Sequence, residues 1–248
     1  MKRFAIAALI SFFGTSAFAA DMATKAPPPP ASPPVVMNWT GFYLGINGGW
    51  GGGTTDHTDE FGVTTNRFNQ SGGLVGVTYG ANWQTDRYLL GFEGDFDYAN
   101  INGNFNSTVL CSISGGSTCF TDLQNFGTDR FRAGVDVNGW LLYGTAGIGY
   151  GQDNAGQTPC ALTAFGGFSC HKEWRSGFVG GGGVEKMFAP HWSAKIEYLH
   201  YDLGNKINYT PATIFGGNSV IVLERGDMVR AGVNYKFDWL LGPVVAKY

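Results

Sequence analysis

The chain has 248 residues, of which 39 are glycine, 15% are aromatic and only 14% are charged, against roughly 25% charged in an average soluble protein. Its formal net charge of -3 supplies no basic field for a polyanion, which excludes nucleic acid as a partner. The balance fits a chain of strands, turns and ring-bearing surfaces.

The first residues, "MKRFAIAALISFFGTSAFAAD", combine Lys2 and Arg3 with an apolar run from Phe4 to Phe13 and an Ala17-Phe18-Ala19 cleavage pattern. This reads as a secretory signal over residues 1–20, too short to be a membrane helix of about 20 apolar residues. The protein is therefore expected to be exported. Residues 21–38 follow as a spacer. Six of the ten prolines fall between Pro27 and Pro34, favouring an extended polyproline-type segment without a core of its own.

From Trp39 the pattern is period two, the mark of strands with two unlike faces. Eight such segments are predicted, at about 40–52, 70–83, 87–101, 123–137, 140–152, 172–187, 191–203 and 225–237. The links near 84–86, 138–139 and 189–191 are tight, and Asn138-Gly139 is a strong hairpin signal. The other four, near 53–69, 102–122, 153–171 and 204–224, are long and rich in Gly, Ser, Thr and Asn. Alternating short and long connections describe an all-β fold, an eight-stranded antiparallel up-and-down β-barrel over 39–237. A short extension, 238–248, would follow.

One face of these strands carries Phe42, Leu44, Ile46, Tyr79, Trp83, Phe92, Phe96, Tyr98, Trp140, Trp174, Trp192, Tyr198 and Phe237. That volume exceeds what eight strands can enclose, so it is expected to face lipid. The alternative, a soluble lipocalin-like barrel, would need an apolar inward face. The opposite face carries Glu93, Asp95, Asp97, Asp136, Glu185 and Glu197 with Arg130, Arg132, Arg175, Lys195, Arg230 and Lys236. Buried charge must be paired, so an interior network is expected, built above all from Glu93, Asp95, Asp97, Arg130, Arg132, Lys195, Glu197 and Arg230. A filled barrel follows more naturally than an open pore.

The stretches "NWTGFYLGINGGWGG" (38–52), "HWSAKIEYLHYDLG" (191–204) and "MVRAGVNYKF" (228–237), with the closing "GPVVAKY", resemble the outer-membrane β-barrel family of alphaproteobacterial surface antigens, often labelled outer membrane immunogenic or porin-family proteins. The resemblance implies a barrel in the outer membrane of a Gram-negative bacterium, with extracellular loops and periplasmic termini. It implies lipid and lipopolysaccharide as surroundings and the outer-membrane assembly machinery as a partner. Phe237 matches the terminal aromatic that this machinery reads, although the chain runs on to Tyr248. A host or cell-wall ligand stays unnamed. The function expected is non-enzymatic, in surface interaction and envelope integrity; the alternatives are a narrow pore and a lipid-modifying enzyme.

Other candidate chemistry is weaker. Cys111, Cys119, Cys160 and Cys170 form an even set in an exported chain, and three connectivities are open; bridges within each loop, Cys111 to Cys119 and Cys160 to Cys170, demand least. Their spacing matches no zinc motif and no cofactor is implied. His191 and Ser193 share a strand face, as in the His-x-Ser pair of outer-membrane lipid deacylases, but sit beside a short turn, on the wrong side for outer-leaflet chemistry. In "GFVGGGGVEK" (177–186), Glu185 stands where a nucleotide-binding loop needs glycine. Gly181 and Gly183 are instead expected to face inward and leave room for long charged side chains from neighbouring strands.

Overall fold

A computed structural model of the protein describes residues 38–58, 62, 64–106, 118–160, 162, 169–209 and 220–237. The expected signal sequence, the expected spacer as far as residue 37 and the expected extension 238–248 lie outside the described residues. Eight strands, β1 (Gly41–Thr58), β2 (Phe68–Thr85), β3 (Tyr88–Asn106), β4 (Thr118–Val137), β5 (Trp140–Thr158), β6 (Cys170–Ala189), β7 (Trp192–Tyr209) and β8 (Val220–Phe237), pair with their sequence neighbours. β1 pairs antiparallel with β8 and closes the barrel. Closure leaves no sheet edge, so every strand has two hydrogen-bonding neighbours.

Stagger sets the shape. Hydrogen-bonded partners traced from Phe42 pass through Ala81, Phe92, Phe131, Ala146, Gly180, His200 and Asp227 and return to β1 at Gly52, ten residues further on. For eight strands that stagger corresponds to a tilt of roughly 40–45°. The β4–β5 turn is set by Asn138 and Gly139, both at positive φ (55° and 77°), the conformation that a two-residue hairpin turn needs.

The outward face is apolar in one belt only. On β1 it runs from Phe42 to Trp50 and on β8 from Phe237 to Val229, which are paired with each other, and it matches the roughly 9–11 residues a tilted strand needs to cross a bilayer. Phe42, Trp83, Tyr88, Trp140, Phe188 and Trp192 ring its lower edge near the short turns, and Trp50, Tyr98, Phe178 and Tyr198 its upper edge, all exposed. These are two aromatic girdles.

The strands are 18 to 20 residues long, so at that tilt the wall rises about 45 Å and stands above the belt at the long-loop end. The long connections are correspondingly shorter than the sequence suggests. Beyond the belt the outward residues become polar, as in Thr54, Asp56, Asn69, Ser71, Asn102 and Asn104. The apolar alternation therefore stops where the ladder of backbone hydrogen bonds does not.

Gly181 and Gly183 do face inward, but for a different neighbour than expected. A Cβ at Gly183 would lie 2.6 Å from the Ile196 carbonyl oxygen and 2.7 Å from the Tyr143 hydroxyl, and one at Gly181 would overlap the Tyr198 carbonyl. The space is taken by the Tyr143 side chain and the β7 backbone, not by charged side chains. Lipid-facing Gly144 is open, its nearest atom 3.9 Å away. Gly183→Leu is therefore expected to abolish the heat-dependent gel shift of the folded barrel, whereas Gly144→Leu retains it; overpacking costs of about 1–3 kcal/mol or more apply only to the first.

Candidate functional site

The interior is filled in layers, and the deepest is charged. Glu93, Asp95 and Asp97 alternate along the inward face of β3, and Glu93 lies directly across the ladder from Arg130 on β4. The Arg130 guanidinium reaches Glu93 (2.9 Å), Asp95 (2.8 Å) and Glu197 (3.0 Å). Arg230 binds Asp95, Asp97 and Glu197, each at 2.7 Å. Arg132 joins Glu93 (3.0 Å) to Glu185 (2.7 Å), and the Lys195 ammonium lies 2.8 Å from Glu93. The Tyr43 hydroxyl donates to Glu93 at 2.8 Å, the Thr128 hydroxyl to Asp95 at 2.7 Å and the Asn234 amide to Glu185 at 2.8 Å. Arg132 also lies 4.1 Å from the centre of the Tyr143 ring.

All of these side chains are buried. Removing an ion from water costs several kcal/mol even after relaxation, so such a cluster holds only when each charge meets opposite charges at hydrogen-bond distance. A guanidinium suits this, because its rigid fork of donors can serve several carboxylates at once.

The eight residues expected to form the network, Glu93, Asp95, Asp97, Arg130, Arg132, Lys195, Glu197 and Arg230, meet in this one cluster, with Glu185. Three others on the predicted inward face do not. Asp136 sits at the β4–β5 turn and accepts from the Gly139 amide at 2.9 Å. Lys236 reaches the Asn38 carbonyl at 2.6 Å at the exposed mouth. Arg175 is buried but pairs with Asp153 at 2.8 Å in a separate cluster. Tyr43, Tyr143 and Thr128 were missed because their polar atoms sit on side chains that strand patterns count as apolar or neutral.

Apolar layers close the network on both sides. Trp39, Leu89, Leu141, Tyr143 and Met187 pack together toward the short turns. Leu74, Ile101, Leu123, Phe126, Leu199 and Met228 belong to a larger cluster toward the long loops. Above that cluster and above the belt lies a second polar group. There His57 Nε2 meets the Thr121 hydroxyl at 2.9 Å, Arg175 donates to the Val222 carbonyl at 2.7 Å, and the Gln70 amide donates to Glu224. Burial, reinforced by the charge of Asp153, pushes the Glu224 carboxyl up to about 8. Burial, with Arg175 nearby, pulls His57 down to about 3.

The remaining candidates are dispersed. Cys160 and Cys170 are bridged, with Cα atoms 5.4 Å apart. Cys119 is also disulfide-bonded, and Cys111 lies outside the described residues. The Ser193 hydroxyl donates to Glu185 at 2.5 Å, and His191 Nδ1 lies 3.2 Å from the Lys236 carbonyl. Phe237 pairs with Phe42 on the closing seam and packs edge-on against Tyr235, ring centres 5.0 Å apart.

The outer membrane protein beta-barrel domain matches residues 5–237. The chain belongs to this outer-membrane β-barrel family. It is 34% identical to the 31 kDa outer-membrane immunogenic protein of Brucella melitensis biotype 1, over 96% of this chain and 100% of that protein. It is 29% identical to the 25 kDa outer-membrane immunogenic protein of Brucella abortus biovar 1, over 93% and 95% of the two chains. The fold is shared with the outer membrane protein OprG of Pseudomonas aeruginosa, at a TM-score of 0.54, 17% identity and coverage of 80% of this chain and 96% of that one. For this outer-membrane barrel the belt is thus the part that meets lipid.

Two measurements test the interior. Arg230→Met leaves three buried carboxylates short of a partner and is expected to destabilise the barrel by about 3–5 kcal/mol in urea unfolding. Glu224 has a raised folded pKa, so its contribution is complete below its ordinary 4.5 and is lost as pH rises through about 8. Protease resistance of the long-loop end should therefore fall as pH rises from about 4.5 to about 8, and Glu224→Gln should remove most of that fall.

Proposed function

We propose that this protein is a non-enzymatic, non-conducting barrel that holds its long loops on the cell surface for recognition and contributes to envelope integrity. The observation that carries this reading is the filled interior. The ion-paired layer is capped by an apolar cluster at either end, and ions crossing it would have to break buried pairs. The names of the Brucella relatives, immunogenic outer-membrane proteins, support exposure of the corresponding surface to a host.

The orientation proposed places the long loops outside and the short turns and both termini in the periplasm, as is usual for bacterial outer-membrane barrels. In this setting the partners are outer-membrane phospholipid and lipopolysaccharide, the assembly machinery acting on the Phe237 end, and a surface ligand of unnamed chemistry. Engagement of the Ser193 hydroxyl with Glu185 argues against its use as a nucleophile. The narrow-pore reading has no comparable support.

Reconstitution in planar bilayers is expected to give no stable unitary steps, and regular steps would overturn the closed-barrel reading. Protease added to intact cells is expected to cut within the long loops and spare the short turns. Cleavage only after outer-membrane permeabilisation would reverse the orientation.

A further inference from the structure

The lipid-facing belt is not uniform. On β4 and β5 its outward residues shrink to Ala133, Gly144 and Ala146, with Gly182 and Gly180 next to them on β6. Bulky Leu90, Phe92 and Phe131 stand beside them, so the surface is scooped into a groove of about 850 Å³. A second hollow of about 730 Å³, sharing Leu90, Ala133 and Gly144, carries it down to Tyr88 at the lower girdle.

Two cations flank that lower mouth. The Arg87 guanidinium lies over the Tyr88 ring, 5.4 Å from its centre, and the Lys186 ammonium over Trp140, 5.1 Å from its centre. Each is anchored on a girdle ring and set at headgroup depth. The Lys186 ammonium also donates to the Asn138 carbonyl at 3.0 Å, and the Asp136 carboxylate at the same turn keeps its charge while accepting from the Gly139 amide at 2.9 Å.

We infer that this groove is a binding site for one anionic glycerophospholipid, an acyl chain lying over Ala133, Gly144 and Ala146 and the phosphate held between Arg87 and Lys186. Charge decides against a second copy of the chain as occupant. Two copies related by an axis along the membrane normal would bring their Arg87 and Lys186 groups together at the same depth, like charge against like. A phosphate at that depth is attracted instead. The inference rests on the proposed orientation only in assigning the lipid to the periplasmic leaflet, where the short turns would lie.

The test uses the full mature protein, purified in mild detergent and titrated with phosphatidylglycerol or phosphatidylcholine of identical chains. Lipid retention is read by native mass spectrometry, and folding of every variant is checked by its gel shift. Wild type is expected to retain one phosphatidylglycerol with several-fold preference. Arg87→Gln and Lys186→Gln should each lower the preference about five-fold, in line with the attraction of one basic side chain near an anionic surface. Gly144→Leu, which fills the groove, should reduce retention of both lipids. Equal retention of both lipids by wild type, indifference to all three variants, or a lipid-free dimer dispersed by Gly144→Leu would each overturn the inference. Because the assay is blind to sidedness, its failure is distinguishable from a failure of the proposed orientation, which the protease experiment reads.

Discussion

A backbone amide or carbonyl left unpaired in hydrocarbon costs several kcal/mol, and a strand has no internal way to satisfy either. This requirement closes β1 onto β8 and makes the barrel complete. Once the wall is closed, strand alternation divides the chain between two solvents. Residues of one parity meet lipid and must be apolar; those of the other are enclosed and must satisfy one another.

The interior shows how that second demand is met, by setting charge against charge. Arg130 and Arg230 each serve three carboxylates, so a few guanidinium groups hold together acids from β3 and β7. The apolar clusters on either side keep water away from these pairs, which strengthens each interaction and raises the penalty for losing a partner. On the proposed reading, this filled cylinder serves as a mount and not as a channel. Its strands run past the belt toward loops whose sequences can vary without disturbing the core.

The outer surface has its own differentiation. Most of the belt is a rough carpet of large side chains, but the small outward residues of β4, β5 and β6 leave a groove that ends between two ring-anchored cations. On a soluble protein such a feature would be read as a defect in packing. In a bilayer, where acyl chains fill any groove offered, it becomes a question of which headgroup fits its mouth.

Much of this was legible in the sequence because its signals are local. Period-two alternation, the Asn138-Gly139 turn and the parity of Glu93, Asp95 and Asp97 each follow from a few adjacent residues, and together they determine an eight-stranded barrel with charge inside and rings outside. What lies beyond the belt was not legible, since outward Thr, Asn and Asp look like loop residues although the ladder continues beneath them. Nor could sequence tell that Arg175 serves Asp153 above the apolar layer while Arg230 serves the network below it, or that Gly183 makes room for Tyr143. Those choices depend on the ten-residue stagger around the closed barrel. The stagger fixes which distant side chains share a level, and it exists only once the last strand has met the first.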